Sequence, residues 1–264
     1  MDGKIPEKIK QYTEKKKYTT DEVGMSDSQV LLFDDMVLKI QPHSAEADNE
    51  ANVCGWLAQR IPTPKILAYE VSEGKSYCLM SKVPGKMICD DIYMTNPEKL
   101  LDMVCSAMKL LWSVNIKDCP CDSSLSVKLK RARYRVEHGL VDMDNVEPET
   151  FGENGFRNPE ELLCWLEENR PPEDLVFSHG DFSLPNIFAH ENQISGFIDL
   201  GKAGIADRWQ DLAICYRSLK HNFEGKYNGG HPYKGYSPEQ FFERMGIREN
   251  PEKLKYYILL DELF

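Results

Sequence analysis

The chain has 264 residues, 41% hydrophobic and 28% charged, which is enough for a sizeable core, yet no window approaches the roughly 18 apolar residues of a membrane span. Its net charge of −11 argues against a nucleic-acid partner, since phosphate binding needs a basic surface, and admits a cationic one. The polar start MDGKIPEKIKQYTEKKKY has no apolar core, so no secretion signal is expected and a cytoplasmic location follows, with the eight scattered cysteines as free, mostly buried thiols.

In chain order, QVLLF (29–33) and MVLKI (36–40) flank Asp34-Asp35, a hairpin signal. Residues 46–60 predict a helix that ends before Pro62 and Pro64. KILAYEV (65–71) and SYCLMSK (76–82) read as two more strands around a Glu73-Gly74 turn. Past Pro84-Gly85 the pattern turns helical. Asn96-Pro97 opens a helix with apolar residues at Leu100, Leu101, Val104, Met108, Leu111 and Val114, and Asn158-Pro159 and Asn250-Pro251 open two more. Two apolar strands, LVFSHGD and ISGFIDL, interrupt this half. The expected class is α+β, with a small β-rich part over 1–83 and a larger, mainly helical part over 84–264. Cys119-Pro-Cys121 lacks the spacing of a zinc site and reads as a loop; 225–237, rich in Gly and Tyr, reads as a mobile loop.

The chemistry concentrates in SHGDFSLPNIF (178–188) and the IDLG that follows at 198–201. Phosphoryl transfer needs a carboxylate to orient the attacking hydroxyl, and oxygen ligands that hold magnesium against the phosphates. Asp181, Asn186 five residues later, and Asp199 at the end of an adjacent strand supply that set. Any one of them alone would be an ordinary turn residue; the order and context of all three point to phosphotransfer.

The spacing resembles the catalytic loop of protein kinases, with Gly180 in place of Arg and Leu200 in place of Phe. H-G-D-x-x-x-x-N followed by I-D-x-G is the pattern of the aminoglycoside phosphotransferase and choline kinase group. VFSHGD, GFIDLGKAGIADRWQDLA, CYRSL and the terminal KYYILLDELF look like the aminoglycoside 3′-phosphotransferases, as do GMS (24–26) and IPTPKIL (61–67). The resemblance implies a protein-kinase-like fold of two lobes, nucleotide-binding over 1–83 and catalytic and substrate-binding over 84–264. Asp181 is then the base, and Asn186 and Asp199 the magnesium ligands. Lys39 contacts the α- and β-phosphates, Glu50 pairs with it, Ser26 lies in the loop over the triphosphate, and backbone groups from Met80 to Val83, Ser81 included, meet the adenine. His179 and Asp211 brace the catalytic loop.

On the substrate side the resemblance implies Lys202, Arg217, the acidic loop Glu147-Pro-Glu149 to Glu153, with Glu149 taken as its contact, and the terminal Asp261, Glu262 and Phe264 carboxylates, facing the ammonium groups of an aminoglycoside. ATP is the implied phosphoryl donor. Val37 stands where a stacking aromatic can occur, which leaves GTP possible. Neither a membrane nor an obligate protein partner is called for. The acidic terminus favours a polyamine substrate over a sugar or amino acid, with another small hydroxylated antibiotic or metabolite as the alternative.

Overall fold

The computed structural model describes residues 5–21 and 28–264; the GMS segment with Ser26 lies outside the described residues. Strands β1 (Thr19–Asp21), β2 (Gln29–Leu32), β3 (Met36–Pro42), β4 (Ile66–Ser72) and β5 (Lys75–Ser81) form one antiparallel sheet in the order β1-β2-β3-β5-β4. Register sets its faces. Leu31 pairs with Leu38, Leu38 with Leu79, and Leu79 with Ala68, so one apolar row crosses four strands. That row is buried together with Phe33, Met36, Tyr77 and Ile9 of helix α1 (Glu7–Thr13). Side chains alternate along a strand, so Lys39, one residue beyond Leu38, points to the opposite face. There it meets Glu50 of helix α2 (Ala45–Leu57), whose first turn is capped by Ser44 Oγ accepting the Ala47 N–H at 3.2 Å.

After Pro84-Gly85 the chain enters the helical part. Strand β6 (Lys86–Met87) and helices α3 (Asp91–Met94), α4 (Pro97–Trp112), α5 (Leu125–Glu137) and α6 (Pro159–Glu168) precede β7 (Leu175–Ser178). Strands β8 (Ile187–His190), β9 (Gln193–Phe197) and β10 (Gly204–Asp207) and helices α7 (Arg208–Phe223), α8 (Pro238–Met245) and α9 (Pro251–Asp261) complete it. All three Asn-Pro starts are genuine caps: Asn96, Asn158 and Asn250 each accept a backbone N–H three residues on. The apolar stripe of α4 lies in one large core with Phe177, Phe182, Phe197 and the inner faces of α7 and α9.

Three expectations change. The runs LVFS and ISGF are not neighbours: β7 pairs with β10, whereas β9 pairs with β8 and β8 with β6. The cause is the two-residue turn Glu191-Asn192, both at positive φ (49° and 65°), which folds β8 and β9 into a tight hairpin. Asp199 therefore reaches the catalytic turn from a separate small sheet. The stretch 225–237 is tied down. Tyr233 N–H donates to Phe223 O at 2.9 Å, Gly230 N–H to Gly225 O at 3.0 Å, and the Tyr236 ring stacks on Phe223 with centroids 4.3 Å apart. Its glycines serve successive positive-φ turns. Among the cysteines, Cys54, Cys78, Cys105 and Cys215 are buried, but Cys164 is exposed; all eight are free.

Gly85 fixes the exit from the first sheet. Its φ is +93°, and a Cβ there would lie 2.0 Å from the Ala189 carbonyl oxygen, so no side chain fits without moving β8. Left-handed strain costs about 1–3 kcal/mol before the overlap is counted. Gly85→Ala should lower the urea midpoint by an amount equivalent to about 3 kcal/mol, and a wild-type midpoint would contradict this account of the linker.

Candidate active site

The catalytic turn hangs from a buried carboxylate. Asp211 on α7 accepts hydrogen bonds from Ser178 Oγ at 2.8 Å, His179 N–H at 2.9 Å and Gly180 N–H at 3.1 Å. Burial pushes its pKa up, against the opposing pull of His179 and these donors. Gly180 has φ +83°, and a Cβ would sit 2.2 Å from the Lys202 carbonyl oxygen. No arginine could replace it here, which explains the departure from the protein-kinase spacing. Gln210 Nε2–H donates to the Gly180 carbonyl at 3.0 Å.

His179, fully buried, joins the two loops. One ring nitrogen, Nε2, lies 3.0 Å from the Ile198 carbonyl, an obligate acceptor, while Nδ1 lies 3.4 Å from the Asp181 N–H, an obligate donor. Both partners select the Nε2–H tautomer. Asn186 Nδ2–H donates to Asp181 O at 3.0 Å and Oδ2 at 2.9 Å. Among the described residues the other Asp181 oxygen has no hydrogen-bond donor, so it is free for an incoming hydroxyl.

Asp199 stands at φ 58°, ψ 54°, a left-handed conformation that is uncommon for a non-glycine residue. It is held by Lys39, whose Nζ lies 2.7 Å from Asp199 Oδ1 and 3.0 Å from Glu50 Oε2. Burial works to lower the Lys39 pKa, but Glu50 and Asp199 together raise it, so the amine stays charged. Burial raises the Glu50 pKa against Lys39's attraction. The Asp199 carboxyl is half exposed; the partial desolvation would raise its pKa, but Lys39 holds it below the ordinary value. Among the described residues no three His, Cys, Asp or Glu side chains cluster as a metal site. The Ile198 N–H donates to the Asn186 carbonyl at 3.0 Å, so the Asp199 carboxylate and the Asn186 amide stand on adjacent segments; such a pair fits magnesium, which characteristically takes one or two protein oxygens and completes its shell with phosphate and water.

The adenine-side expectation narrows. Ser81 is engaged, its N–H with Lys65 O at 2.9 Å and its Oγ with Lys65 N–H at 2.9 Å. Val83 is buried against Gly196, and no hydrogen bond among the described residues uses its N–H.

At the far end, Arg217 on α7 pairs with both Asp261 and Glu262, the latter at 3.0 Å. The terminal acids are therefore partly neutralised from within. Burial opposes ionisation of Asp261, but Lys202 and Arg217 hold its pKa down; burial dominates at Glu262 and raises it. Glu262 Oε2 accepts the Glu147 N–H at 2.8 Å, and Glu147 Oε1 lies 3.2 Å from Lys226 Nζ and 3.4 Å from His221 Nε2. Glu149 does not join this group. A turn in which Thr150 N–H donates to Glu147 O at 2.9 Å buries Thr150 and leaves Glu149 exposed, so the acid of this loop that reaches the terminus is Glu147.

Lys202 connects the two ends: burial would lower its pKa, but Asp261, Asp181, Glu46 and Asp199 together raise it. The Phe264 ring lies 6.0 Å from Lys202 Nζ, 5.7 Å from Lys128 Nζ and 5.9 Å from the Arg135 guanidinium. Neither Lys128 nor Asn49 was singled out from the sequence. In KLKRAR the lysine reads as one solvated helix charge among several, and only packing distinguishes it.

Held across two halves of a chain, a carboxylate, a neighbouring amide and a lysine-paired aspartate are the groups that phosphoryl transfer requires, and residues 17–234 match the phosphotransferase enzyme family. The chain belongs to that family, among the aminoglycoside phosphotransferases. It is 36% identical to the aminoglycoside 3′-phosphotransferase of Enterococcus faecalis, across 99% of this chain and 98% of that protein. It is 35% identical to that of Staphylococcus aureus, with the same coverage. A solved aminoglycoside-3′-phosphotransferase of type VIII matches the fold with a TM-score of 0.77 at 26% identity, over 94% of both chains. An aminoglycoside phosphotransferase of Streptomyces rimosus matches with a TM-score of 0.80 at 24% identity, over 97% of this chain and 95% of that one. A second structure of the latter is a complex with ADP and streptomycin.

Lys128 is 7% exposed, its ammonium group has no hydrogen-bond partner among the described residues, and burial lowers its pKa to about 8. Its folded pKa lies below the unfolded one, so the charge is destabilising at and below pH 8 and that penalty is relieved as pH rises from about 8 to about 10. The wild type should gain on the order of 2 kcal/mol over that window relative to Lys128→Met. Parallel chemical denaturation curves at pH 7.5 and 9.5 check this; identical pH dependence in both proteins would refute it.

Proposed function

We propose that the chain transfers the γ-phosphoryl group of ATP to the 3′-hydroxyl of an aminoglycoside, with magnesium as cofactor, and so confers resistance. The observation that carries the reading is that Asn186 holds one Asp181 oxygen while Lys39 pairs with Asp199, on two loops that His179 joins. The named activity of the two enterococcal and staphylococcal relatives supports the acceptor, and the ADP complex of the S. rimosus enzyme supports the donor. The proposed lobes are 1–83 for the nucleotide and 84–264 for catalysis and substrate.

In this reading Asn186 holds one Asp181 oxygen, and the other takes the hydrogen bond of the acceptor hydroxyl. As the hydroxyl oxygen bonds to the γ-phosphorus, the bond to the β–γ bridging oxygen breaks, ADP leaves, and the hydroxyl proton passes to Asp181. Asp199 and Asn186 would hold magnesium, whose charge would neutralise the phosphates. Lys39, positioned by Glu50, would reach the α- and β-phosphates, and the Val83 N–H is the free donor for the adenine. Lys202, near enough to Asp181 and Asp199 to feel both charges, would stabilise negative charge developing on the transferring group. Asp261 and Glu147 would face the substrate's ammonium groups. Phosphorylation removes a hydroxyl donor and adds about two negative charges to a polycation that must bind RNA.

Asp181→Ala should lower kcat on kanamycin-type substrates by about 10²–10⁴-fold with nucleotide affinity retained. A coupled ADP-release assay reads this, and a near wild-type kcat would remove Asp181 from the role of base. Asp261→Asn should raise KM for the aminoglycoside by about 10- to 100-fold, since a charge-assisted contact is worth about 1.5–3 kcal/mol, and should leave KM for ATP nearly unchanged. An unaltered aminoglycoside KM would move the substrate away from the terminus.

A further inference from the structure

Asn49 lies on α2, next to Glu50, and nothing in its sequence context marks it. Its side chain crosses from the first half of the chain to the second. Both amide hydrogens are used on one short segment: Nδ2 donates to Gly201 O and to Ala203 O, each at 2.8 Å. The amide oxygen accepts the thiol hydrogen of Cys121. Cys121 is itself fixed, since its carbonyl accepts the Ile205 N–H of β10 at 2.9 Å. The full hydrogen-bonding capacity of the amide nitrogen is thus spent on the turn that runs from Asp199 through Lys202.

The orientation of this amide is decided by its neighbours. Flipped, it would set Oδ1 against two carbonyl oxygens and lose the thiol donor. An aspartate would place a carboxylate against the same carbonyls, and a leucine of similar shape would leave both without donors. The contact is also tight: a Cβ on Gly201 would lie 3.1 Å from the Glu46 carbonyl, so the turn sits directly on the α2 backbone. Glu50, the next residue along the helix, holds Lys39, which holds Asp199. Two adjacent residues of one helix therefore grip residues 199–203 from two sides, Glu50 through charge and Asn49 through backbone carbonyls.

We propose that Asn49 is a positioning residue for phosphoryl transfer, which sets Asp199 and Lys202 against the Lys39–Glu50 pair while the Cys121 thiol fixes the orientation of its amide. The inference rests on the reading of Asp199 as a magnesium ligand and Lys202 as a group facing the transferred phosphoryl. Asn49 touches neither substrate nor nucleotide; it acts through the turn. Its loss should therefore appear in kcat and in the magnesium requirement, with KM for either substrate changing little.

The test compares Asn49→Leu, Cys121→Ala, Cys121→Ser and Asp199→Asn in the full chain. Asn49→Leu should lower kcat by at least tenfold and raise the half-saturating magnesium concentration several-fold, while KM for ATP and aminoglycoside changes less than threefold. In the same variant without nucleotide or metal, amide hydrogen exchange over 199–203 should quicken by about tenfold, as a local opening free of its tie would. Cys121→Ala should show both effects more weakly, and Cys121→Ser, which keeps a donor, should restore most of the activity. If Asn49→Leu fails to fold, Cys121→Ala carries the test alone, and wild-type kcat and exchange in that variant overturn the proposal. Wild-type magnesium dependence in a folded Asn49→Leu, or a kcat loss that only tracks a lowered melting temperature, also overturns it. Asp199→Asn separates the two levels. If it is inactive while Asn49→Leu is normal, only the positioning role falls; if it is fully active, the magnesium reading falls first.

Discussion

One ammonium group between two carboxylates holds the site together. Lys39 comes from a strand of the first sheet, Glu50 from the helix behind it, and Asp199 from a turn 160 residues along the chain. Glu50 is almost wholly buried, and a buried carboxylate without a partner costs several kcal/mol. Its burial is tolerable because Lys39 stands beside it. Asp199 in turn adopts a left-handed backbone that costs energy by itself, and the ion pair with Lys39 is part of what offsets it. The two halves of the molecule are thus joined at the point where the chemistry is proposed to occur.

Around that pair the catalytic turn is supported by groups that never need to meet a substrate. Asp211 collects the backbone donors of His179 and Gly180, and the His179 ring donates to the Ile198 carbonyl and accepts from the Asp181 N–H. Gly180 lies directly against the Lys202 carbonyl, so the Asp181 turn and the Lys202 turn are packed together. The arrangement leaves a single Asp181 oxygen without a donor among the described residues, and this restricts where a hydroxyl could bind.

The C-terminal acids follow different physics. They are not a bare anionic patch. Arg217 spans Asp261 and Glu262, Lys226 and His221 attend Glu147, and three cations surround the terminal ring. A polycation arriving there would compete with internal ammonium and guanidinium groups, so selectivity depends on how well it replaces them and not on total negative charge.

Much of this was legible in the sequence, because it is written in local signals. Asn-Pro caps, the Asp-Asp hairpin, the alternation that sends Leu38 and Lys39 to opposite faces, and the Asp181, Asn186, Asp199 spacing all depend on residues close together in the chain. The α+β class and the Asp181, Asn186 and Asp199 set followed from them, whereas Lys39 and Glu50 were implied only by the resemblance to the family. What the sequence could not determine depends on pairings between distant segments. The strand preceding Asp199 pairs with β8 and not with β7, because a turn of two positive-φ residues closes that hairpin first. Glu147 and not Glu149 reaches the terminus, because one turn reverses which side chain is buried. Lys128, Asn49 and Cys121 carry no local mark, since burial of a lysine or the aim of an amide is set by what packs around it. Local propensity chose the elements and the chemistry-bearing residues; tertiary packing alone decided which charges are paired, which are buried, and which oxygen is left free.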